Sequence, residues 1–79
     1  METKEQIISI LADKLGYEKS EINENQDFIN DLGTDSLDIV EIIIEVEKKF
    51  GLKIEDEEVD EIKTVGDLIQ KVEELSKNK

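Results

Sequence analysis

The segment Asp31-Leu32-Gly33-Thr34-Asp35-Ser36-Leu37 sets the Ser36 hydroxyl among carboxylates at the entrance to a long apolar-rich run. A serine becomes a nucleophile when a base stands within hydrogen-bond reach. The chain has no His and no Cys, so only a Lys or a carboxylate could serve as that base. Gly33-Thr34-Asp35-Ser36-Leu37 also fails the Gly-x-Ser-x-Gly elbow, because the serine is displaced and the second glycine is absent. The residues taken alone therefore favour a structural role: Asp35 or Ser36 as the N-cap of a following helix, its short side-chain oxygen accepting from an amide of the first turn.

That helix is read from Leu37-Asp38-Ile39-Val40-Glu41-Ile42-Ile43-Ile44-Glu45-Val46-Glu47-Lys48-Lys49-Phe50, with Gly51 as its stop. Ile39, Ile42, Ile43, Val46 and Phe50 stand at offsets 0, 3, 4, 7 and 11 and share one face at helical period. The β-branched content would suit a strand. The unbroken length, against about five or six residues for a usual strand, and the lack of alternation decide for a helix. Asp35 and Asp38 sit at the favourable end of its dipole.

The other elements follow the same logic. Thr3-Lys4-Glu5-Gln6 has the form of a capping box, and the helix it opens points Ile7, Ile8, Leu11 and Leu15 inward before Gly16 ends it. Tyr17 to Asn30 reads as a long loop pinned by Ile22, Phe28 and Ile29. Asp56 to Glu61 is a short acidic helical turn with Val59 and Ile62 inward. Thr64 caps a last helix, with Asp67 at the reciprocal position and Val65, Leu68, Ile69, Val72 and Leu75 at helical spacing, and Ser76 to Lys79 should fray. The expected fold is all-α: a small four-helix bundle of three principal helices and one short helix, with a long loop after the first.

Composition bounds the function. Residues 1–79 make one domain with a thin core. Ten basic against 22 acidic residues give a formal charge of -12. Such a charge repels nucleic-acid backbones and anionic membranes, asks for partners with basic patches, and favours a monomer. It also opposes compaction, so divalent cations should raise the melting temperature. No stretch reaches the roughly eighteen apolar residues of a membrane span, and no signal or transit leader is evident, so a cytoplasmic protein without membrane insertion is expected. Asn23, Asn25 and Asp27 have the opening spacing of a calcium loop, but Phe28 occupies the glycine position and Thr34 the position of the bidentate Glu. No dedicated metal site is expected, and no catalysis by the chain itself.

Asp35-Ser36-Leu37, the helix after it, Asp27-Phe28 in the loop, the acidic Glu55 to Glu58 turn and the Thr64 to Leu75 helix follow one another as in the acyl carrier proteins, which the chain resembles over essentially all 79 residues. The resemblance implies that Ser36 carries a covalent 4'-phosphopantetheine arm. A separate phosphopantetheinyl transferase would use Mg²⁺ and coenzyme A, with the Ser36 oxygen attacking the β-phosphorus. Acyl groups would then ride as thioesters on the arm's thiol and pass to fatty acid synthesis enzymes.

Under that reading the helix after Ser36 is a docking surface. Leu37, Val40 and Ile44, at offsets 0, 3 and 7, form an apolar stripe not needed for the core, bordered by Asp35, Asp38, Glu41, Glu45 and Glu47. Charge would steer encounter with basic partners, and the stripe would slow dissociation. The resemblance also implies an acyl pocket lined by Ile54, Val59, Ile62 and Leu68. Val59 and Leu68 are bulkier than the Ala common in the family, and overpacking costs typically about 1–3 kcal/mol, so the pocket should be shallow or need wider helix separation. Lys48 and Lys49 stand where the family favours acids, shortening the docking face. Glu55 replaces a common Pro, which should loosen the third segment. Two other classes share these features: a carrier of aminoacyl or polyketide units, and an unmodified acidic interaction module in which Ser36 is only a cap.

Overall fold

The computed structural model describes residues 3–77. Four helices follow in order, α1 (Thr3–Leu15), α2 (Ser36–Phe50), α3 (Asp56–Asp60) and α4 (Val65–Lys77), with a single 3₁₀ turn at Lys19–Glu21. The expected all-α bundle, three long helices and one short, is the observed one.

Each of the three long helices carries an apolar stripe that is buried against the others and against apolar residues of the connecting segments. Ile7 and Leu11 of α1, Ile42 and Val46 of α2, and Val65, Leu68 and Val72 of α4 meet in one buried cluster. Ile39 and Phe50 extend the α2 stripe at its two ends and are partly buried against that cluster. α3 differs in kind, because none of its residues is fully buried. Ile62, just beyond it, is buried.

Helix ends are largely as the sequence predicts. Gly16 takes a positive φ of 77°, and its N–H and that of Tyr17 both donate to the Ala12 carbonyl, at 2.9 and 3.1 Å. Gly51 is left-handed and donates to Glu47 O at 2.9 Å. At α4, Asp67 N donates to Thr64 Oγ1 and Thr64 N to Asp67 Oδ2, both at 3.1 Å, which is the expected reciprocal cap. Thr3, read as the start of a capping box, is the first described residue of α1. Ser76 and Lys77, expected to fray, are the last two residues of α4; the remainder of that expectation, at residues 78–79, lies outside the described residues.

The long loop is a packed part of the structure. Ile22, Phe28, Leu32 and Thr34 are buried. Its backbone pairs with the α3–α4 connection: Phe28 N donates to Lys63 O, Val65 N to Gln26 O and Gly66 N to Glu24 O, each at 3.0 Å, around an antiparallel bridge of Asp27 with Thr64. Gly66 permits this approach, since a Cβ there would stand 3.1 Å from Glu24 O. The expected anchors Ile22 and Phe28 hold; Ile29 does not, being 62% exposed. A turn over residues 27–31 explains it. Asp27 Oδ1 accepts from Ile29 N and Asn30 N at 2.9 Å, and Asp31 Oδ2 accepts from Asp27 N at 2.7 Å, turning Phe28 inward and its neighbour outward.

Candidate functional site

Ser36 is the first residue of α2, and it does not cap the helix. Asp35 does: its Oδ1 accepts from Asp38 N at 3.0 Å, while Asp38 Oδ2 accepts from Asp35 N at 3.3 Å. This reciprocal box leaves the Ser36 side chain without work in the helix. The side chain is exposed, and its hydroxyl makes no hydrogen bond within the described residues. The helix-cap explanation of Ser36 is thereby removed, and its cause is a neighbour one residue earlier.

The approach to Ser36 is fixed from beneath. Thr34 is buried, with Oγ1 donating to Phe28 O at 2.7 Å and its N–H donating to the same oxygen at 3.0 Å. Gly33 turns at a φ of 68° between buried Leu32 and Thr34. Tyr17 OH adds a bond to Leu32 O at 3.2 Å. Thr34 is a site-shaping residue that the sequence reading passed over. Its signal was faint: a hydroxyl two residues before a helix start, in a segment already rich in capping side chains.

A groove of about 380 Å³ opens beside Ser36. Its apolar wall is Phe28, Ile29, Ile39, Val40, Val59 and Ile62, and Asp27, Asn30, Asp60 and Lys63 mark its polar edge. A second hollow of about 190 Å³ lies on the far side of Val40 and Val59, lined also by Ile43, Ile44 and Ile54. Of the four residues expected to line one pocket, Val59 and Ile62 share the groove with Ser36, and Ile54 lines the neighbouring hollow. Leu68 is fully buried in the main core and lines neither.

The outer surface of α2 keeps its stripe in solvent. Leu37, Val40 and Ile44 are 67%, 47% and 43% exposed. With Ile29 they are the large apolar side chains left uncovered among the described residues. Asp35, Glu41 and Glu45 are exposed, whereas Asp38 is half-buried in the cap. Glu41 lies 3.9 Å from the Lys14 ammonium of α1. Glu47 is not part of the open rim: its Oε2 accepts from Ile54 N at 2.8 Å, tying α2 to the segment before α3.

Chemically, the arrangement offers an unencumbered hydroxyl and no partner to activate it. Placement at the amide end of α2 suits a phosphate ester, since the first-turn amides and the helix dipole favour negative charge there. The adjoining groove, of about 380 Å³ and mainly apolar lining, offers a flexible chain leaving that oxygen a surface to lie on. These features fit a phosphopantetheine arm.

Comparison with known proteins agrees. A family model described as "Phosphopantetheine attachment site" matches residues 5–72. Acyl carrier proteins from two strains of Porphyromonas gingivalis are each 46% identical over 72 residues, covering 91% of this chain and 92% of theirs. Among solved structures, a Mycobacterium tuberculosis protein assigned as a candidate acyl carrier protein superposes with a TM-score of 0.85 at 34% identity, over 90% of this chain and 95% of that one. The acyl carrier protein from Enterococcus faecalis gives 0.78 at 25% identity, over 92% of each chain. Fold, groove and relatives converge, and the chain belongs to the acyl carrier proteins, with the role of an acyl carrier acting through phosphopantetheine.

Proposed function

We propose that Ser36 is the attachment point of the phosphopantetheine arm, and that the chain presents acyl groups to fatty acid synthesis enzymes in the cytoplasm without itself catalysing a reaction. The observation that carries this reading is the exposed Ser36 hydroxyl, released from capping by Asp35 and set at the mouth of an apolar groove.

When bound, the arm supplies a terminal thiol for thioester chemistry. The chain's own residues do the rest. Asp35 and Asp38 start α2 so that Ser36 projects, and Thr34 holds the preceding loop against Phe28. Phe28, Ile39, Val40, Val59 and Ile62 offer apolar surface worth about 0.8 kcal/mol for each methylene they cover. Ile54 extends that surface once Val40 and Val59 part; Leu68 supports it from the core. No described side chain bonds to the Ser36 hydroxyl, so the base that removes its proton must come from the transferase.

Leu37, Val40 and Ile44, with Asp35, Asp38, Glu41 and Glu45 around them, form the docking face for the transferase and the synthesis enzymes. The net charge of -12 speeds encounter with basic patches, and the stripe supplies area that excludes water on contact. No described helix is long and apolar enough to cross a membrane.

Intact mass before and after incubation with coenzyme A, Mg²⁺ and a broad-specificity phosphopantetheinyl transferase tests the assignment. A phosphopantetheine increment located on Ser36, and absent in folded Ser36→Ala, is the expected result. An increment on another residue, or none on folded unmodified protein while a control carrier is modified in the same tube, overturns it.

A further inference from the structure

Lys71 of α4 is placed among three carboxylates. Its Nζ lies 3.6 Å from Glu58, 3.5 Å from Glu61 and 3.8 Å from Glu74, and its side chain is only 18% exposed. Two of these partners belong to α3 and its end. Glu58 is the third residue of α3, and Glu61 is its C-cap. Glu58 uses its two oxygens separately: Oε1 accepts from Glu55 N at 3.0 Å, closing the start of α3, while Oε2 faces Lys71. One ammonium thus pairs with the middle and the C-cap of a five-residue helix, and Glu58 passes that hold to the start of α3 through its bond to Glu55 N.

Val59 packs partly against the core and Ile54 and Ile62 are buried on either side, but α3 itself is weakly anchored. None of its residues is fully buried, and five residues are far below the length at which a helix is stable by itself. Yet α3 supplies Val59 and Asp60 to the groove beside Ser36, and Val59 also stands between that groove and the second hollow. We propose that Lys71 is a positioning residue, a latch that fixes α3 against α4 and so sets how far Val59 stands from Val40.

The sign of the electrostatics makes the latch necessary. In a chain of charge -12, removing this cation leaves Glu58, Glu61 and Glu74 facing one another across the α3–α4 contact, where like charges repel. Burial pulls the Lys71 ammonium toward neutrality, but Glu58, then Glu61, then Glu74 outweigh it and hold its pKa above the ordinary 10.5. The latch is therefore charged throughout the neutral range. It acts on α3 alone, because the α1, α2 and α4 stripes meet without it.

The consequence for cargo rests on the reading of Ser36 given above, but the test does not. Amide exchange is measured on the unmodified full chain by rapid solvent-exchange NMR, comparing Val59, Glu61 and Ile62 with Leu11 of α1. Lys71→Met keeps the apolar stem and removes the charge; it should speed exchange of the three amides about fivefold relative to Leu11, and Lys71→Arg should restore most of the protection. Salt gives an arm that needs no variant. Raising NaCl from about 0.01 to about 1 M shortens the Debye length from about 30 to about 3 Å. This should loosen α3 relative to α1 in the native chain and tighten it in Lys71→Met. Equal change in all helices, unchanged α3 exchange in Lys71→Met, or salt effects of the same sign in both proteins would each overturn the latch, whether or not Ser36 accepts the arm.

Discussion

α2 has two apolar faces, and they are used in opposite ways. Ile42, Ile43 and Val46 are buried in the common core, whereas Leu37, Val40 and Ile44, on the same fifteen-residue helix, stand in solvent. The side chains are of the same kind, so hydrophobicity does not distinguish them. Geometry does: the three long helices close over one face only, and the other runs from Ser36 along the outer surface. An apolar stripe that the fold leaves open, beside a hydroxyl that the helix cap leaves open, is the observation on which the proposed docking face rests.

The sharpest way to break this comparison is to truncate one residue on each face. Ile42→Ala should cost about 2–5 kcal/mol, because it empties a site that neighbours cannot fully refill. Its effect is read as a lower denaturation midpoint at unchanged slope. Asp35→Ala comes next. Loss of the cap should cost about 1 kcal/mol, and Ser36 should then be a poorer substrate for the transferase, because the first turn that positions it frays. If stability is unchanged, the capping box contributes nothing measurable in solution. Ile44→Ala should have the smallest effect on stability, within about 0.5 kcal/mol, while raising the transferase KM for the carrier. A loss comparable to that of Ile42→Ala would show that the outer stripe is part of the core after all.

Much of this was legible in the sequence. The α2 and α4 stripes, the Thr64 and Asp67 cap and the glycine stops follow from periodicity and local chemistry, which act over a few residues and leave a local trace. What escaped depends on contacts between distant segments. Ile29 looks like an anchor in a string of residues, and only the turn held by the Asp27 carboxylate shows that it points outward. Glu47 shares a helix face with other acids, and only the return of the chain at Ile54 claims its carboxylate. Which of the expected pocket residues share one hollow also depends on such contacts: α4 holds Leu68 in the core, and Ile54 lines a hollow beside the groove. The choice between Asp35 and Ser36 as cap turned on a shift of one residue, within the uncertainty of any helix boundary. The expected loosening at Glu55 meets a local counterweight, because its N–H makes a bond to Glu58 that a proline could not make.

The pairing of the long loop with Lys63 to Gly66 bears on when during synthesis this site comes into being. Phe28, whose carbonyl receives both Thr34 bonds, is itself held by Lys63 O. The support under Ser36 therefore closes across more than thirty residues of chain, a long-range contact of the type that forms late because closure entropy must be overcome first. A ribosome-bound chain that has exposed Ser36 but not yet α4 has the serine without its platform. Arrested chains ending before Lys63 should accept no arm under conditions in which the completed chain is fully modified, and efficient transfer to such a fragment would show that α2 alone suffices. If Ser36 carries the arm as proposed, its platform is complete only once residues 63–66 have joined the long loop.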